Sequence, residues 1–123
     1  MTQELTYGDK EIEARLVEEL SNWYFEDQCI QRIFRTSGWK GTLMVINVVG
    51  HLAEIAWHHP DISASYNQVA VKLITHSAQG VTDKDFELAQ KIEEVVMWQP
   101  GIDDSSSLDG TPEKEQFKYI DYA

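Results

Sequence analysis

Between the break Ser37-Gly38-Trp39-Lys40-Gly41 and Pro60 lies a run, Thr42 to Trp57, rich in Leu, Met, Val, Ile and Ala and nearly free of charge. Its β-branched residues suit a strand, but about sixteen residues is long for a strand and ordinary for a buried helix. The run therefore predicts a helix around which the rest of the chain must supply apolar surface. It has to stop close to Pro60, because the residue before a proline is pushed out of the helical region. That places His58 on the last turn and His59 just beyond, where the helix dipole favours a cationic imidazole.

The flanking sequence supplies the other elements. From Asp9 to Leu20, Ile12, Leu16, Val17 and Leu20 recur at spacings of three and four, the periodicity of an amphipathic helix. Trp23 to Gln28 and Cys29 to Thr36, where Ile30, Arg32 and Phe34 alternate with Gln31, Ile33 and Arg35, read as strands of a hairpin turning near Asp27-Gln28. Asp61 to Asn67 fits either a short strand or a loop. Gln68 to His76 alternates as a strand, with Val69, Val71, Leu73 and Thr75 on one face and Ala70, Lys72, Ile74 and His76 on a less buried one. After the turn Ser77-Ala78-Gln79-Gly80, Thr82-Asp83-Lys84-Asp85 has the form of a capping box. Phe86, Ala89, Ile92 and Val96 then mark one face of a helix that ends before Pro100. The order helix, strand, strand, helix, strand, strand, helix is that of an α+β sheet backed by helices.

A chain of 123 residues suits one domain, here 1–100, followed by an acidic tail, 101–123. Ten Lys and Arg against 21 Asp and Glu leave a net charge of −11, a field that repels phosphate backbones and argues against direct nucleic-acid binding. The lone cysteine, Cys29, has no partner for an internal disulfide; it reads as a structural thiol and suits a reducing compartment. No stretch approaches the ~20 apolar residues that span a membrane, and Met1 to Lys10 lacks a basic segment followed by an apolar run; a cytoplasmic location is expected. The tail carries a Ser105-Ser106-Ser107 run and an excess of acids, which predicts mobility. Against that, Phe117, Tyr119, Ile120 and Tyr122 are too aromatic and apolar for a purely solvated segment, so the alternative is folding back onto the domain or a neighbouring subunit.

Chemistry concentrates in three of the four histidines, His58, His59 and His76, with Glu54, Tyr66 and Asp85 nearby in sequence. Histidine exchanges protons near neutral pH, so several around one pocket suggest general acid/base work. Glu54 and His58, four apart on a helix, share a face where a carboxylate orients an imidazole. Each residue also has a plainer reading. Glu54 and His58 would form a surface pair of small energetic weight, Asp85 completes the Thr82 capping box, His76 is an exposed strand end, and Tyr66 is a core aromatic. A zinc set of His51, Glu54, His58 and His76 lacks a standard spacing and any cysteine, so no metal is expected. The sequence contains no internal repeat and no glycine-rich phosphate loop following a strand.

The spacing Glu54-x-x-x-His58-His59-Pro60, then Tyr66, His76 and Asp85, resembles the signature of pterin-4a-carbinolamine dehydratases, also called 4a-hydroxytetrahydrobiopterin dehydratases. Trp23…Glu26-Asp27, Arg32-x-Phe34, Tyr66-Asn67-x-Val69, Thr75-His76 and Gly80-Val81-Thr82-x-x-Asp85 follow in the same order, so the resemblance covers about residues 12 to 99. It implies a four-stranded antiparallel sheet with helices on one face, assembled as a homodimer or homotetramer. It also implies removal of water from a 4a-hydroxytetrahydropterin to give quinonoid dihydropterin, in tetrahydropterin recycling, without metal or organic cofactor. On that resemblance His58, His59 and His76 line the pterin pocket, with His58 and His76 as the acid/base pair and His59 positioning the ring. Glu54 and Asp85 orient the histidines, Pro60 borders the pocket, and the backbone around Thr75, Ser77 and Ala78 meets the pterin edge. The alternative is a non-catalytic member of the same fold acting as an interaction, assembly or coactivator-type protein. Many members carry a tryptophan two residues after the proline where this chain has Ile62, which implies weaker pterin binding with the chemistry retained, a stacking loss of about 0.5–1.5 kcal/mol.

Overall fold

Asp27 and Gln28 both take positive φ, 53° and 65°, the two-residue turn whose twist matches that of the strands it joins. It folds β1 (Tyr24–Glu26) back onto β2 (Cys29–Arg35), and a second hairpin through Tyr66-Asn67 joins β3 (Asp61–Ser65) to β4 (Gln68–Leu73). Antiparallel pairing of β2 with β4 merges the hairpins into one sheet of order β1-β2-β4-β3. The computed structural model describes residues 5–102 and 104–122. Asp61 to Asn67, open between strand and loop from its sequence, is thus an edge strand and its turn.

Register decides which side chains become core. Phe34 lies opposite Val69, and Ile30 opposite Leu73, and with Val71 these residues are buried on one face. They form one apolar cluster with Ile12 and Leu16 of α1 (Asp9–Glu19), Val45 and Val49 of α2 (Trp39–Ala56), and Phe86, Ala89 and Ile92 of α3 (Asp83–Val96). Arg32 shares this face, and its charge is answered by Glu93 of α3 through Nε to Oε1 (2.8 Å) and Nη2 to Oε2 (3.1 Å). The indole of Trp23 also donates to Glu93 Oε1 (2.8 Å), so a bidentate pair ties the sheet to α3.

Three boundaries differ from the sequence reading. Helix α2 starts at Trp39 rather than Thr42 and so includes Gly41; a Cβ there would lie 2.7 Å from the Tyr119 carbonyl oxygen, so the close approach of the C-terminal segment requires glycine. The helix ends at Ala56, which puts His58 beyond the last turn. Strand β4 ends at Leu73, and His76 opens a short 3-10 turn, His76–Ala78, instead of closing the strand. Leu73 pairs with Ile30 beside the start of β2, so the ladder runs out of partner and Thr75 bridges to Gly80.

Segments near both ends of the described residues, around Tyr7 and Tyr119–Tyr122, are tied to this frame. The start of α2 is held by Thr42, whose buried hydroxyl donates to the Tyr66 carbonyl (3.0 Å) and meets the Thr36 hydroxyl at 2.8 Å. Near the C-terminus, Ser37 N–H donates to Tyr119 O (3.0 Å) and Asp121 N–H donates to Arg35 O (2.9 Å). Ile120 bridges to Thr36 and is buried in the core. Folding back onto the domain therefore describes Tyr119–Tyr122, and burial pushes the Tyr122 phenol pKa up. At the other end, Tyr7 N–H donates to Val81 O (3.0 Å), its hydroxyl donates to Asp83 Oδ1, and Arg15 Nη1 reaches the same oxygen at 2.9 Å while stacking over Phe86. Among the described residues no helix is long and apolar enough to cross a membrane.

Truncating Ile120 to alanine opens a cavity where the C-terminal strap meets the core. We expect a loss of about 2–5 kcal/mol, read as a lower urea midpoint at unchanged slope. Hydrogen bonds from Tyr7 and Arg15 hold the Asp83 carboxyl below its ordinary 3.8. A carboxyl lowered in this way stabilises the fold fully above 3.8 and ceases to do so as pH falls through its folded value. Asp83→Asn should therefore lower the Tm at pH 6, with the gap from wild type closing as the pH drops below 3.8.

Candidate active site

Helix α2 closes with a Schellman turn, in which Trp57 N–H donates to Glu54 O (3.3 Å) and His58 N–H to Ala53 O (3.1 Å). Trp57 is the left-handed residue of that turn, at φ 51° and ψ 47°. This conformation normally falls to glycine or asparagine and costs a side-chain-bearing residue about 1–2 kcal/mol. The turn throws His58 and His59 off the helix end, and Pro60 prevents the helix from resuming.

His58 leaves toward α3, where Asp85 waits. The Asp85 carboxylate is 0% exposed. Its Oδ2 accepts the Thr82 N–H (2.9 Å) and the Thr75 hydroxyl (2.7 Å), and its Oδ1 lies 2.6 Å from His58 Nε2. An ionised carboxylate can only accept, so His58 Nε2 carries a hydrogen and Nδ1 is left to exchange a proton with a ligand. The hydroxyls run in one direction. Thr82 Oγ1 accepts Lys84 N–H (3.2 Å) and lies 2.8 Å from Thr75 Oγ1; because Thr75 spends its hydrogen on Asp85, Thr82 donates to Thr75. Among the described residues no buried side-chain nitrogen or oxygen lacks a partner.

His58, His59 and His76 line one open depression of about 280 Å³, together with Trp57, Ile74, Thr75, Ser77 and Lys84. A wider groove of about 540 Å³ between α2 and α3 adjoins it and shares Trp57, His58 and Lys84. The expected pairing of Glu54 with His58 is not the one formed. Glu54 Oε1 lies 2.8 Å from His59 Nε2, because the Schellman turn swings His58 toward α3 and brings His59 back over the helix. Glu54 and Asp85 thus stand behind histidines and do not line the depression, and neither do Pro60 and Ala78.

Two further expectations change. Tyr66 is 66% exposed, not core, and its hydroxyl borders Gly38 at the start of α2, at the other end of that helix from the histidines. Ile62 packs against the core opposite Val71 and does not reach the depression, so its side chain says nothing about a ring bound there. Of the residues considered for zinc, Glu54 and His58 are committed to His59 and Asp85, and among the described residues no group of three His, Cys, Asp or Glu is arranged to hold a metal ion. Cys29 is half-buried, and burial raises its thiol pKa, as suits a structural thiol. Trp57 and Lys84 are lining residues that the motif reading passed over. A tryptophan where a helix-closing glycine belongs was the available signal for the first, and nothing marked the second.

Three imidazoles around one depression, one of them with its tautomer set by a buried carboxylate, can give and take protons on a small planar molecule. Asp85 also caps α3 and holds Thr75, so Asp85→Ala strips partners from a buried network and should cost about 3–5 kcal/mol. Glu54→Ala, which breaks an exposed pair, should stay within about 1 kcal/mol. Chemical denaturation of the two variants side by side checks the contrast.

Known proteins share this arrangement of sequence and fold. The sequence pattern of the family described as pterin 4 alpha carbinolamine dehydratase matches residues 6–95. A provisionally named pterin-4-alpha-carbinolamine dehydratase of Aquifex aeolicus is 44% identical over 89 residues, covering 72% of this chain and 89% of that protein. One from Haloarcula marismortui, named in the same way, is 39% identical over 85 residues, covering 69% and 89%. The crystal structure of a transcriptional coactivator/pterin dehydratase from Brucella melitensis superposes with a TM-score of 0.68 at 28% identity, covering 75% of this chain and 99% of that one. A family match over residues 6–95, with relatives about 40% identical across most of their own length, shows that the chain belongs to the pterin-4a-carbinolamine dehydratase family.

Proposed function

We propose that the depression binds a 4a-hydroxytetrahydropterin and removes water from it to give the quinonoid dihydropterin, in tetrahydropterin recycling. The observation that carries this reading is the convergence of His58, His59 and His76 on one depression, with His58 Nε2 committed to the buried Asp85. Asp85 Oδ1 holds the hydrogen on His58 Nε2 and leaves Nδ1 facing a ligand as the acceptor, as an aspartate fixes the tautomer of the base in a hydrolase triad. His58 accordingly takes the N5 proton through Nδ1. The N5–H electron pair becomes the N5–C4a double bond as the C4a–O bond breaks, and His76 protonates the departing hydroxyl, which leaves as water. Proton exchange with solvent at the open depression resets both rings.

His59, braced by Glu54, positions the ring, and the backbone at Thr75 and Ser77 meets its polar edge. No metal or organic cofactor enters these steps. The resemblance supports a homodimer or homotetramer, and the lone thiol supports a cytoplasmic setting.

Stopped-flow absorbance of quinonoid dihydropterin formation, started from freshly generated 4a-hydroxytetrahydropterin, tests the reading. Wild type should accelerate the reaction, and His58→Ala and His76→Ala should each lose about 10²- to 10⁴-fold while retaining wild-type circular dichroism. A folded wild type without acceleration would instead favour a non-catalytic interaction role, the other half of the Brucella protein's description.

A further inference from the structure

Trp57 is poorly placed for folding. Its backbone is left-handed, a conformation that a bulky side chain rarely adopts, and its indole is 74% exposed, so burial does not compensate. Glycine or asparagine would close α2 with less strain. Strained residues persist where the surroundings hold them, and they cluster at ligand sites.

Its surroundings are the histidines. Trp57 lines the depression that holds His58, His59 and His76 and also the adjoining groove. Its ring meets His59 edge-to-face, with centroids 5.0 Å apart at 82°, and His59 is itself held by Glu54. Apart from the imidazoles, Ile74 is the other large apolar residue lining the depression. A bicyclic ring with a planar pyrimidine half entering there finds one broad aromatic surface, the indole, with donors and acceptors along the other sides.

We infer that Trp57 is a substrate-binding residue whose indole stacks on the pterin ring and so sets affinity rather than the rate of the proton transfers. This inference rests on the dehydratase reading and adds to it the residue that supplies the aromatic wall. The ring contributes its face while the helix-closing backbone aims His58, and the two roles separate by mutation. Glycine and asparagine both accept the left-handed turn and remove the indole, whereas phenylalanine keeps a ring.

The test compares wild type, Trp57→Gly, Trp57→Asn and Trp57→Phe by thermal melting, by calorimetric binding of 7,8-dihydropterin, and by steady-state dehydration. We expect Trp57→Gly and Trp57→Asn to melt at or above the wild-type Tm. Both should bind 7,8-dihydropterin roughly fivefold to tenfold more weakly and show a matching rise in KM, with kcat within about twofold; Trp57→Phe should recover most of the affinity. Binding and KM within twofold of wild type in both ring-less variants would overturn the inference and leave the dehydratase reading intact. A fall in kcat at unchanged KM would overturn it too, by assigning Trp57 to the aiming of His58. A folded wild type that neither binds nor dehydrates a pterin would remove the dehydratase reading itself, and this inference with it.

Discussion

Asp85 is the group on which the site depends. A carboxylate removed entirely from water is tolerable only when its lone pairs are filled. Here they are filled by the Thr82 N–H at the start of α3, the Thr75 hydroxyl just past β4, and the ring of His58 beyond α2. One side chain therefore joins three segments far apart in sequence and fixes their distances to within a hydrogen bond. The Oδ2 bonds that make it a helix cap also hold in place the Oδ1 that meets His58, so stability and chemistry draw on one network. This is also why the plain reading of Asp85 as half of a capping box is correct and incomplete.

The frame around Asp85 is built so that the ends of elements, not their middles, meet at the depression. The β2–β4 ladder stops at Leu73 because β2 turns away, which frees Thr75 and His76 to form a tight turn. Helix α2 stops at Ala56 and closes through a left-handed residue, which frees His58 and His59. The capping box opens α3 on the same side. Side chains on element ends can face a ligand without disturbing the core, whose residues lie one or two positions further in. The Tyr7–Arg15–Asp83 cluster and the Thr36–Ile120 strap hold other margins of the same layer, so the frame stays closed where no ligand is needed.

Much of this was legible in the chain. Helical and two-residue periodicities located α1, α3, β2 and β4 to within a few residues, because apolar residues recur at the period of the element that buries them, whereas β3 stayed open between strand and loop. The capping box and the Asp27-Gln28 turn were readable because their chemistry is local. The ends were less so. Trp39 to Gly41 looks like a break until the Tyr119 carbonyl approaches Gly41, and His76 looks like a strand residue until the partner strand runs out. Pairing of the histidines was misread for the same reason. Spacing on an ideal helix put Glu54 beside His58, whereas the closing turn gave Glu54 to His59 and His58 to Asp85.

What the sequence by itself determined is the kind of fold and the inventory of proton-exchanging groups. Both follow from short-range rules: periodicity, caps, proline, and a spaced motif. Only the tertiary structure decided which groups face one another, since that depends on how α2, β4 and α3 terminate against each other. It set Tyr66 at the far end of α2 and Ile62 against the core, and it put an exposed, left-handed tryptophan beside the histidines. No local rule reaches that far, because hydrogen bonds between the ends of elements are formed only once the core has set the positions of those ends.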